Sequence, residues 1–585
     1  MKKRFLFVTV LYFLIANVLS AQQLLTNINA SWSNVLPGKI VSKPEIADFG
    51  FGVMTDAKNL MAFTNEGKLI WEKNFFRFYS PFFSFLPGDF ALIITNNGQR
   101  MTLLNPDGNE LWQKDLNYKI IDKAFPGRDG RFFVRSEESI HCYTITGLEK
   151  WTIETPSQNN LPIQELTDGS IVVFLDKLEN YKTKALRITP FGEIIEEITF
   201  AGEITTSLTT PEGILLTFTD GTNGLFDLEE NKAQHKWLLK KDKQTKNNLD
   251  FFVLSQNKKD VIYINHHSSN IEIDYLNTKD GTIEKSFFVQ NINPSPTCYY
   301  NDSGVLLIDS ESTYFYNNTG KLLWSGKLPP KSAREYYTKN TFTTDNHLIL
   351  FGSNWSINAF RTSQSASNKN KKNNQKDDSY NYNSFYKFDA SLFNNLYSVK
   401  LDKDLSNEAK LRSLKEGFYG ADEIKWVSEL LGNCTMYINF LGTSNTGTRV
   451  DKSVFEQDSV GLEQMLSQLS LYQTSVFNNL IISCLKKETN RSLLHALISS
   501  IANNGYDPDQ ELLKALCNFG KNLNPKDELL LQDVCDGVYS ICKLMGTKAF
   551  NAYGKQFYTE LMYPKYNSKT RDYAREKLTL LVNKK

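Results

Sequence analysis

Short apolar stretches alternate with polar, glycine-containing turns from about residue 35 to residue 362. The stretches are nearly continuous in apolar residues, as expected for strands that are covered on both faces; examples are Phe90–Thr95, Ile171–Phe174 and Gly304–Ile308. Many lead through a further strand and a glycine turn into another strand, which carries a tryptophan four residues after the glycine. The pattern predicts antiparallel hairpins, because glycine supplies the left-handed residue that a tight turn needs.

This hairpin unit recurs with a period near 40 residues, as the spacing of Trp71, Trp112 and Trp151 illustrates. Three or four strands per unit at this period is the signature of a propeller blade. A blade cannot bury both faces alone, so its neighbours must stack around an axis. We expect the motif tryptophans to pack between blades rather than to contact a ligand. The structural motif residues are Gly67, Trp71, Gly108, Trp112, Gly147, Trp151, Gly192, Trp237, Gly281, Gly320 and Trp324.

The sequence contains seven such hairpins, one of them degenerate, and a partial eighth unit from His347 to Arg361. The eighth unit stops before its own glycine and tryptophan. The missing type of segment lies near the N-terminus, from Leu36 to Val41. We therefore expect Ile40 and Val41 to complete the last blade, which would hide the two edges of the ring. The prediction is an all-β propeller of eight blades, with seven as the alternative.

The turn followed by Gly-Lys-x-x-Trp resembles the PQQ-like, or quinoprotein-type, β-propeller repeat over roughly residues 35–362. That family includes quinone-dependent alcohol dehydrogenases and the non-enzymatic propeller of the bacterial outer-membrane assembly machinery. The resemblance implies the fold and says little about function, since the motif residues are structural. The quinone enzymes of the family also use an axial calcium and a disulfide between adjacent cysteines. The chain has no adjacent cysteine pair, so we predict no cofactor and transfer no catalytic or cofactor-binding residue.

The C-terminal part of the chain has a different pattern. Residues 363–384 are polar and low in complexity, which predicts a flexible linker or loop. From about Leu401 the apolar period changes to near 3.6 residues, and Asp507, Pro508 and Gln510 form a capping-box pattern at a helix start. The helix pairs resemble HEAT or armadillo-like α-solenoid repeats, with a helical bundle as the alternative. The predicted domains are a signal peptide at 1–21, the propeller at 22–362, the linker at 363–384 and an α-helical domain at 385–585.

The N-terminus has the layout of a secretory signal peptide. Basic residues at 2–4 precede an apolar run from Phe5 to Leu19, and Ser20 and Ala21 supply small residues for cleavage. The run is short for a membrane span, which needs roughly 20 apolar residues. No cysteine stands directly after the apolar run, so a lipoprotein is not expected. We expect an exported protein, periplasmic or associated with the outer surface, without a transmembrane segment after cleavage.

Composition and motifs point away from catalysis. The formal net charge is +1, which gives no global attraction to nucleic acid. Sequence motifs for zinc hydrolases, nucleophile elbows, phosphate loops and dinucleotide sites are absent, so we predict no enzyme activity, catalytic residue or metal site. The seven cysteines are too few and scattered for a disulfide framework, although one disulfide among Cys517, Cys535 and Cys542 stays open.

The predicted function is a non-catalytic protein-interaction or scaffold protein of the cell envelope, whose partner the sequence does not identify. The alternative is a ligand- or glycan-binding propeller, in which Tyr299 and Tyr300 would line one face of the central channel. A PQQ-dependent dehydrogenase is the second alternative.

Overall fold

The computed structural model describes residues 30–361 and 474–582, apart from short gaps within these ranges. The predicted signal peptide, the linker at 363–384 and the first part of the predicted helical domain lie outside the described residues.

The described residues between 30 and 361 form β-strands joined by turns. In chain order they are β1 (Trp32–Val35), β2 (Glu45–Ala47), β3 (Gly50–Thr55), β4 (Asn59–Thr64), β5 (Leu69–Asn74), β6 (Phe82–Leu86), β7 (Phe90–Thr95), β8 (Arg100–Leu104), β9 (Glu110–Asp115), β10 (Phe125–Pro126), β11 (Arg131–Arg135), β12 (Ser139–Thr144), β13 (Glu149–Glu154), β14 (Gln164–Glu165), β15 (Ile171–Leu178), β16 (Lys182–Ile188), β17 (Ile194–Thr199), β18 (Ile204–Thr210), β19 (Gly213–Phe218), β20 (Asn223–Glu229), β21 (Lys232–Leu238), β22 (Phe251–Leu254), β23 (Val261–His266), β24 (Asn270–Leu276), β25 (Ile283–Gln290), β26 (Thr297–Asn301), β27 (Gly304–Ile308), β28 (Ser312–Asn317), β29 (Leu322–Lys327), β30 (Phe342–Thr343), β31 (His347–Gly352) and β32 (Ser356–Arg361).

The strands pair antiparallel in four-stranded sheets. Sheet 1 is β2–β5, sheet 2 is β6–β9, and the series continues with four consecutive strands each to sheet 7, β26–β29. The first strand of a sheet contacts the first strand of the next in most neighbouring pairs, as β2 does with β6 and β22 with β26. First strands that meet in this way surround a common axis, and the apolar second and third strands pack between sheets. The predicted β-propeller is confirmed.

The ring closes through a composite sheet. Its order is β1-β32-β31-β30, so the N-terminal strand completes a sheet that the end of the propeller begins. The prediction was eight blades, with seven as the alternative. The count of eight is not supported: the described strands form seven sheets of consecutive strands, and the composite sheet closes the ring.

The residues that close the ring differ from those predicted. Trp32–Val35 pair with β32, whereas Ile40 forms an isolated bridge with Thr55 of sheet 1. The physical reason is backbone pairing: the Val41 N–H donates to Met54 and the Lys39 carbonyl accepts from Asp56, so this segment is bound to sheet 1 and not to the last sheet.

The propeller has two unlike faces. In an antiparallel sheet of consecutive strands, the links between the first two and the last two strands lie at one end. This end carries the motif glycines, and we call it the turn face. The links between the second and third strands, and those between sheets, lie at the other end, the connection face.

Residues 474–582 are helical. The helices are α1 (Thr474–Lys487), α2 (Arg491–Ser499), α3 (Glu511–Asn522), α4 (Glu528–Ala549), α5 (Lys555–Leu561) and α6 (Ser568–Val582). Helix α4 contacts α2, α3 and α6 and is the centre of this region. The predicted helical region is confirmed in the described part, whereas the α-solenoid arrangement is not. None of the helices described combines the length and the apolar character that crossing a bilayer requires.

Candidate protein-interaction surfaces

The motif glycines bring consecutive sheets together. Gly108, for example, has φ +79°, and a Cβ there would lie 2.7 Å from the ring of Trp71 in the preceding sheet. Glycine is needed both for the left-handed backbone and for the space that the indole occupies. The same contact joins Gly67 with Trp32, Gly147 with Trp112, Gly192 with Trp151, Gly281 with Trp237 and Gly320 with Phe287.

The indole N–H groups add a polar link at the same contact. Trp71 donates to the carbonyl of Pro106 at 3.0 Å, and Trp112 donates to that of Ile145 at 2.9 Å. Trp237 and Trp32 donate in the same way to Thr278 and Asn65. These side chains are thus occupied by packing and hydrogen bonds between sheets.

Trp324 is the exception in the aromatic series. Its indole N–H is buried and has no acceptor among the described residues. The sheet topology explains this. In the other sheets the acceptor lies in the turn between the third and fourth strands, but in the composite sheet these strands are β32 and β1, which no turn connects. Sequence reasoning missed two members of the series, Trp32 and Phe287, which lack the Gly-x-x-x-Trp spacing.

A polar residue that precedes the motif glycine organises each turn, and sequence reasoning missed this as well. The side-chain oxygen of Asn105 accepts backbone N–H bonds from Asp107 and Asn109, and Asn317 does the same for Thr319 and Lys321. The signal was present as an Asn or Thr three residues before the glycine, a position that favours such turns.

The helical region packs on the turn face of sheets 1 and 2. The hydroxyl of Tyr506 donates to the carbonyl of Pro87 at 2.9 Å, and its ring lies 5.9 Å from that of Phe90. The backbone N–H and the hydroxyl of Thr547 both donate to one carboxylate oxygen of Asp107, at 2.7 and 2.8 Å. Leu86 and Phe90 share one hydrophobic cluster with the helical core.

Ionisable side chains lie where the helical region meets sheets 1 and 2. Asp89 is buried in the turn between β6 and β7, and burial raises its pKa to about 6. The neighbouring carboxylate of Asp48 adds to the rise, whereas Lys548 of the helical region opposes it. The turn face of sheets 1 and 2 is therefore occupied by another part of the same chain.

The connection face of the first three sheets presents exposed apolar side chains. Val41, Tyr79 and Ile121 precede sheets 1, 2 and 3, and they are 43%, 62% and 37% exposed. Their backbones are fixed on the following sheet: Val41 N–H donates to Met54, Ile121 N–H donates to Arg135, and the Tyr79 carbonyl accepts from Asn97. The three side chains are thus exposed on backbone that is held in place by hydrogen bonds.

Around the axis, polar side chains link the sheets to each other. Lys123 pairs with Glu45 at 2.6 Å, Ser84 donates to the carbonyl of Ala124, and the Gln164 amide donates to Ser207. These contacts bind neighbouring parts of the ring to each other around the axis.

Tyr299 and Tyr300 do not form the expected aromatic lining of the channel. Tyr300 is buried in a cluster with Tyr275 and Val305, and Tyr299 packs against a second cluster. Burial raises the pKa of Tyr299 well above its ordinary value. The alternating side chains of β26 point into the sheet contacts on both faces, which explains why the prediction for these residues was wrong.

One buried cluster has the geometry of a hydrolase relay. His141 lies 3.3 Å from the Ser136 hydroxyl through Nε2 and 2.9 Å from Glu149 through Nδ1. Ser136, however, is buried, and its hydroxyl lies 3.1 Å from the carbonyl of Ser139, to which it donates. Tyr118 stacks on His141 with the ring centroids 3.8 Å apart, and burial lowers the pKa of His141. The cluster fastens the turn at 136–139 and does not offer an accessible nucleophile.

Within the described part of the chain, no group of three or more His, Cys, Asp or Glu side chains could hold a metal ion. Cys517, Cys535 and Cys542 are buried free thiols, so the disulfide left open by the sequence is not formed among them. Burial raises the pKa of Cys517 to about 12, which keeps this thiol protonated and inert.

No known protein family matches the sequence, and no curated protein matches it. Solved structures similar to this chain include BamB from Moraxella catarrhalis, with 13% identity, 57% of this chain and 99% of that chain covered, and a TM-score of 0.38. Sqt1 from Saccharomyces cerevisiae has 11% identity, the same two coverages and a TM-score of 0.42. A protein of unknown function from Bacteroides caccae has 14% identity, covers 41% of this chain and 94% of its own, and has a TM-score of 0.25. Similarity at this level does not identify a function.

Proposed function

We propose that this chain is an exported, non-catalytic scaffold protein of the cell envelope, whose propeller binds a protein partner through the connection face of sheets 1–3. The observation that carries the proposal is the exposure of Val41, Tyr79 and Ile121 on backbone that is fixed by hydrogen bonds. The helical region packs on the turn face of sheets 1 and 2, which leaves the connection face of these sheets clear of the described helices. Apolar and aromatic side chains in a polar rim are the usual centre of a protein interface.

The test compares two sets of surface variants in affinity capture from envelope extracts. The first set replaces Val41, Tyr79 and Ile121 with serine. The second replaces Leu69, Ile283 and Leu322, which are similarly exposed on the outer strands, and serves as the matched control. The proposal expects a partner that the wild type and the control capture and that the first set loses. A partner captured equally by all three proteins would place the binding surface elsewhere.

Export is tested by fractionation of the native host. The signal-peptide layout at residues 1–21 supports a processed protein outside the cytoplasm, periplasmic or on the outer surface. Full-length, unprocessed protein in the cytosol would contradict this part of the proposal.

The non-catalytic assignment is tested with pyrroloquinoline quinone and calcium. The proposal expects no cofactor absorbance and no dye reduction after both are added to the purified protein. Quinone binding with dye reduction would instead support the dehydrogenase alternative.

A further inference from the structure

Helix α4 is interrupted where it meets the propeller. Gly546 has φ +79° and ψ −162°, values that lie outside the helical range, while the residues on both sides are helical. In a continuous helix, the N–H of Thr547 would donate to the carbonyl of Lys543. Here it donates to the Asp107 carboxylate at 2.7 Å, and the Thr547 hydroxyl donates to the same oxygen.

The propeller thus supplies the helix cap. A carboxylate that accepts the first free N–H of a helix satisfies that donor and complements the positive end of the helix dipole. Asp107 does this across the contact between the propeller and the helical region. Residue 546 must be glycine for this arrangement, since a Cβ there would lie 2.7 Å from the Asp107 oxygen and the backbone is left-handed.

The interruption coincides with the docking contact. A Cβ added at Gly88, in the turn of sheet 2, would lie 3.1 Å from the side chain of Met545, the residue before the break, and 3.2 Å from that of Pro508. Lys548, just after the break, acts electrostatically on Asp89. Tyr506 fixes the other end of the same turn through the Pro87 carbonyl. The residues that flank Gly546 therefore lie in the interface, together with Tyr506 and Pro508.

We propose that α4 is a two-state helix: it is broken at Gly546 while the helical region is docked on sheet 2, and it is continuous through Gly546 when the helical region is released. Asp107 is the residue that couples the two states. Without its carboxylate, the Thr547 N–H has no partner in the broken form, and the carbonyl of Lys543 is the nearest helical acceptor. Glycine can adopt both the left-handed conformation of the broken helix and ordinary helical angles, so residue 546 can pass from one form to the other.

Helix continuity and docking exclude each other for a geometric reason. Rotation of Gly546 into helical angles swings the chain after it away from the direction that it has in the docked form, as expected when a kink straightens. Met545 and Lys548 then no longer face the turn of sheet 2 together. A change at the docking contact is in this way transmitted along α4 into the core of the helical region.

The test uses the full-length protein and two measurements. Hydrogen exchange of the segment Leu86–Phe90 reports docking, and far-UV ellipticity reports helix content. Asp107→Ala should raise exchange of this segment at least about tenfold, the effect expected for loss of charge-assisted hydrogen bonds, without loss of ellipticity. Gly546→Ala should raise exchange similarly and increase ellipticity, because alanine favours the continuous helix.

The matched control is Asp280→Ala. Asp280 holds the equivalent position before the motif glycine of sheet 6, and among the described residues its side chain accepts hydrogen bonds from Thr282 of its own turn. The Asp280→Ala variant should leave both measurements unchanged. Unchanged exchange in Asp107→Ala would overturn the proposal, and so would a fall in ellipticity that accompanies release. If Asp107→Ala does not fold, Thr547→Ser, which keeps both donors, should match the wild type. Thr547→Val, which keeps only the N–H, should then show a smaller rise in exchange, and no rise would also overturn the proposal.

Discussion

Among the individual residues, Asp274 stands out because it is a buried carboxyl group with an unsatisfied oxygen. It lies on β24 opposite Tyr263 and Ser286, it is 3% exposed, and its Oδ1 has no hydrogen-bond partner among the described residues. Burial raises its pKa to about 7, and the neighbouring Glu272 contributes to the rise, while His267 lowers it. A carboxyl group in this position is more stable with its proton than without it.

We predict that Asp274 makes the propeller less stable as the pH rises. The folded-state pKa is raised above the ordinary value of 3.8, so the native state holds the proton more tightly than the unfolded chain. Its contribution to stability is complete at low pH and is lost as the pH rises through about 7. Asp274→Asn, which stays neutral, should therefore raise the free energy of unfolding at about pH 8 by on the order of 2 kcal/mol and change it little at about pH 4.

Thermal unfolding across this pH range checks the prediction. Asp280→Asn serves as the control, because Asp280 is fully exposed and its pKa is lowered by hydrogen bonds from Thr282. Equal effects of Asp274→Asn at both ends of the range would show that the carboxyl group is not protonated in the native protein.

At the scale of secondary-structure elements, the sequence predicted those features whose residues lie close together in the chain. A glycine turn and a tryptophan four residues later lie within a single hairpin, so Gly108 and Trp112 could be recognised without knowledge of the fold. β1 could not be recognised, because it has no turn of its own and its partner β32 lies more than 300 residues away. The choice of Ile40 and Val41 instead followed the Gly-Lys pattern of Leu36–Val41, whereas Ile40 in fact bridges to Thr55 of sheet 1.

The start of α3 illustrates the same limit. Asp507 was recognised as a capping residue, and its carboxylate accepts the N–H groups of Leu512 and Leu513. The helix nevertheless begins at Glu511, and Gln510 adopts a left-handed backbone instead of completing a capping box. The Tyr506 contact with sheet 2 fixes the chain just before this helix, and no local pattern predicts a contact with a residue more than 400 positions away. The docking surface as a whole was hidden for this reason.

Ring closure by β1 leads to a prediction about two tryptophans. The Trp32 indole donates to the carbonyl of Asn65 at 3.1 Å, whereas the Trp324 indole N–H is buried without an acceptor among the described residues. Trp32→Phe and Trp324→Phe both shrink the ring system, but only Trp32→Phe also removes a satisfied hydrogen bond at the seam. Trp32→Phe should therefore lower the free energy of unfolding by about 1 kcal/mol more than Trp324→Phe does.

Chemical denaturation of the two variants provides the measurement, with each serving as the control for the other. Both substitutions replace an indole with a phenyl ring, so the difference between them reports the indole N–H group. Equal destabilisation by both would mean that the Trp324 indole has an acceptor, and that the seam resembles the other sheet contacts.

At the scale of the whole molecule, the propeller and the helical region are separate in sequence and joined in space. The turn of sheet 2 contributes Leu86 and Phe90 to the hydrophobic cluster that contains the helical core, including Tyr506 and Met545. This contact modifies the simple picture of two independent units joined by the polar segment at 363–384. Apolar burial at the contact favours association even where no covalent connection exists.

We therefore predict that the two parts remain associated after the chain between them is cut. A specific protease site inserted within residues 363–384 allows cleavage of the folded protein, and size-exclusion chromatography then reports whether the fragments elute together. The wild-type fragments should co-elute, because Tyr506 fills a buried position against Phe90 and Asp107 caps α4. Tyr506→Ala combined with Asp107→Ala should separate them. Loss of a buried aromatic side chain costs about 3–5 kcal/mol, and loss of the helix cap adds a further cost. Asp280→Ala with the same protease site is the control and should behave as the wild type. Separation of the wild-type fragments would mean that the contact is maintained only by the covalent connection, and the coupling between docking and α4 would then act only within the intact chain.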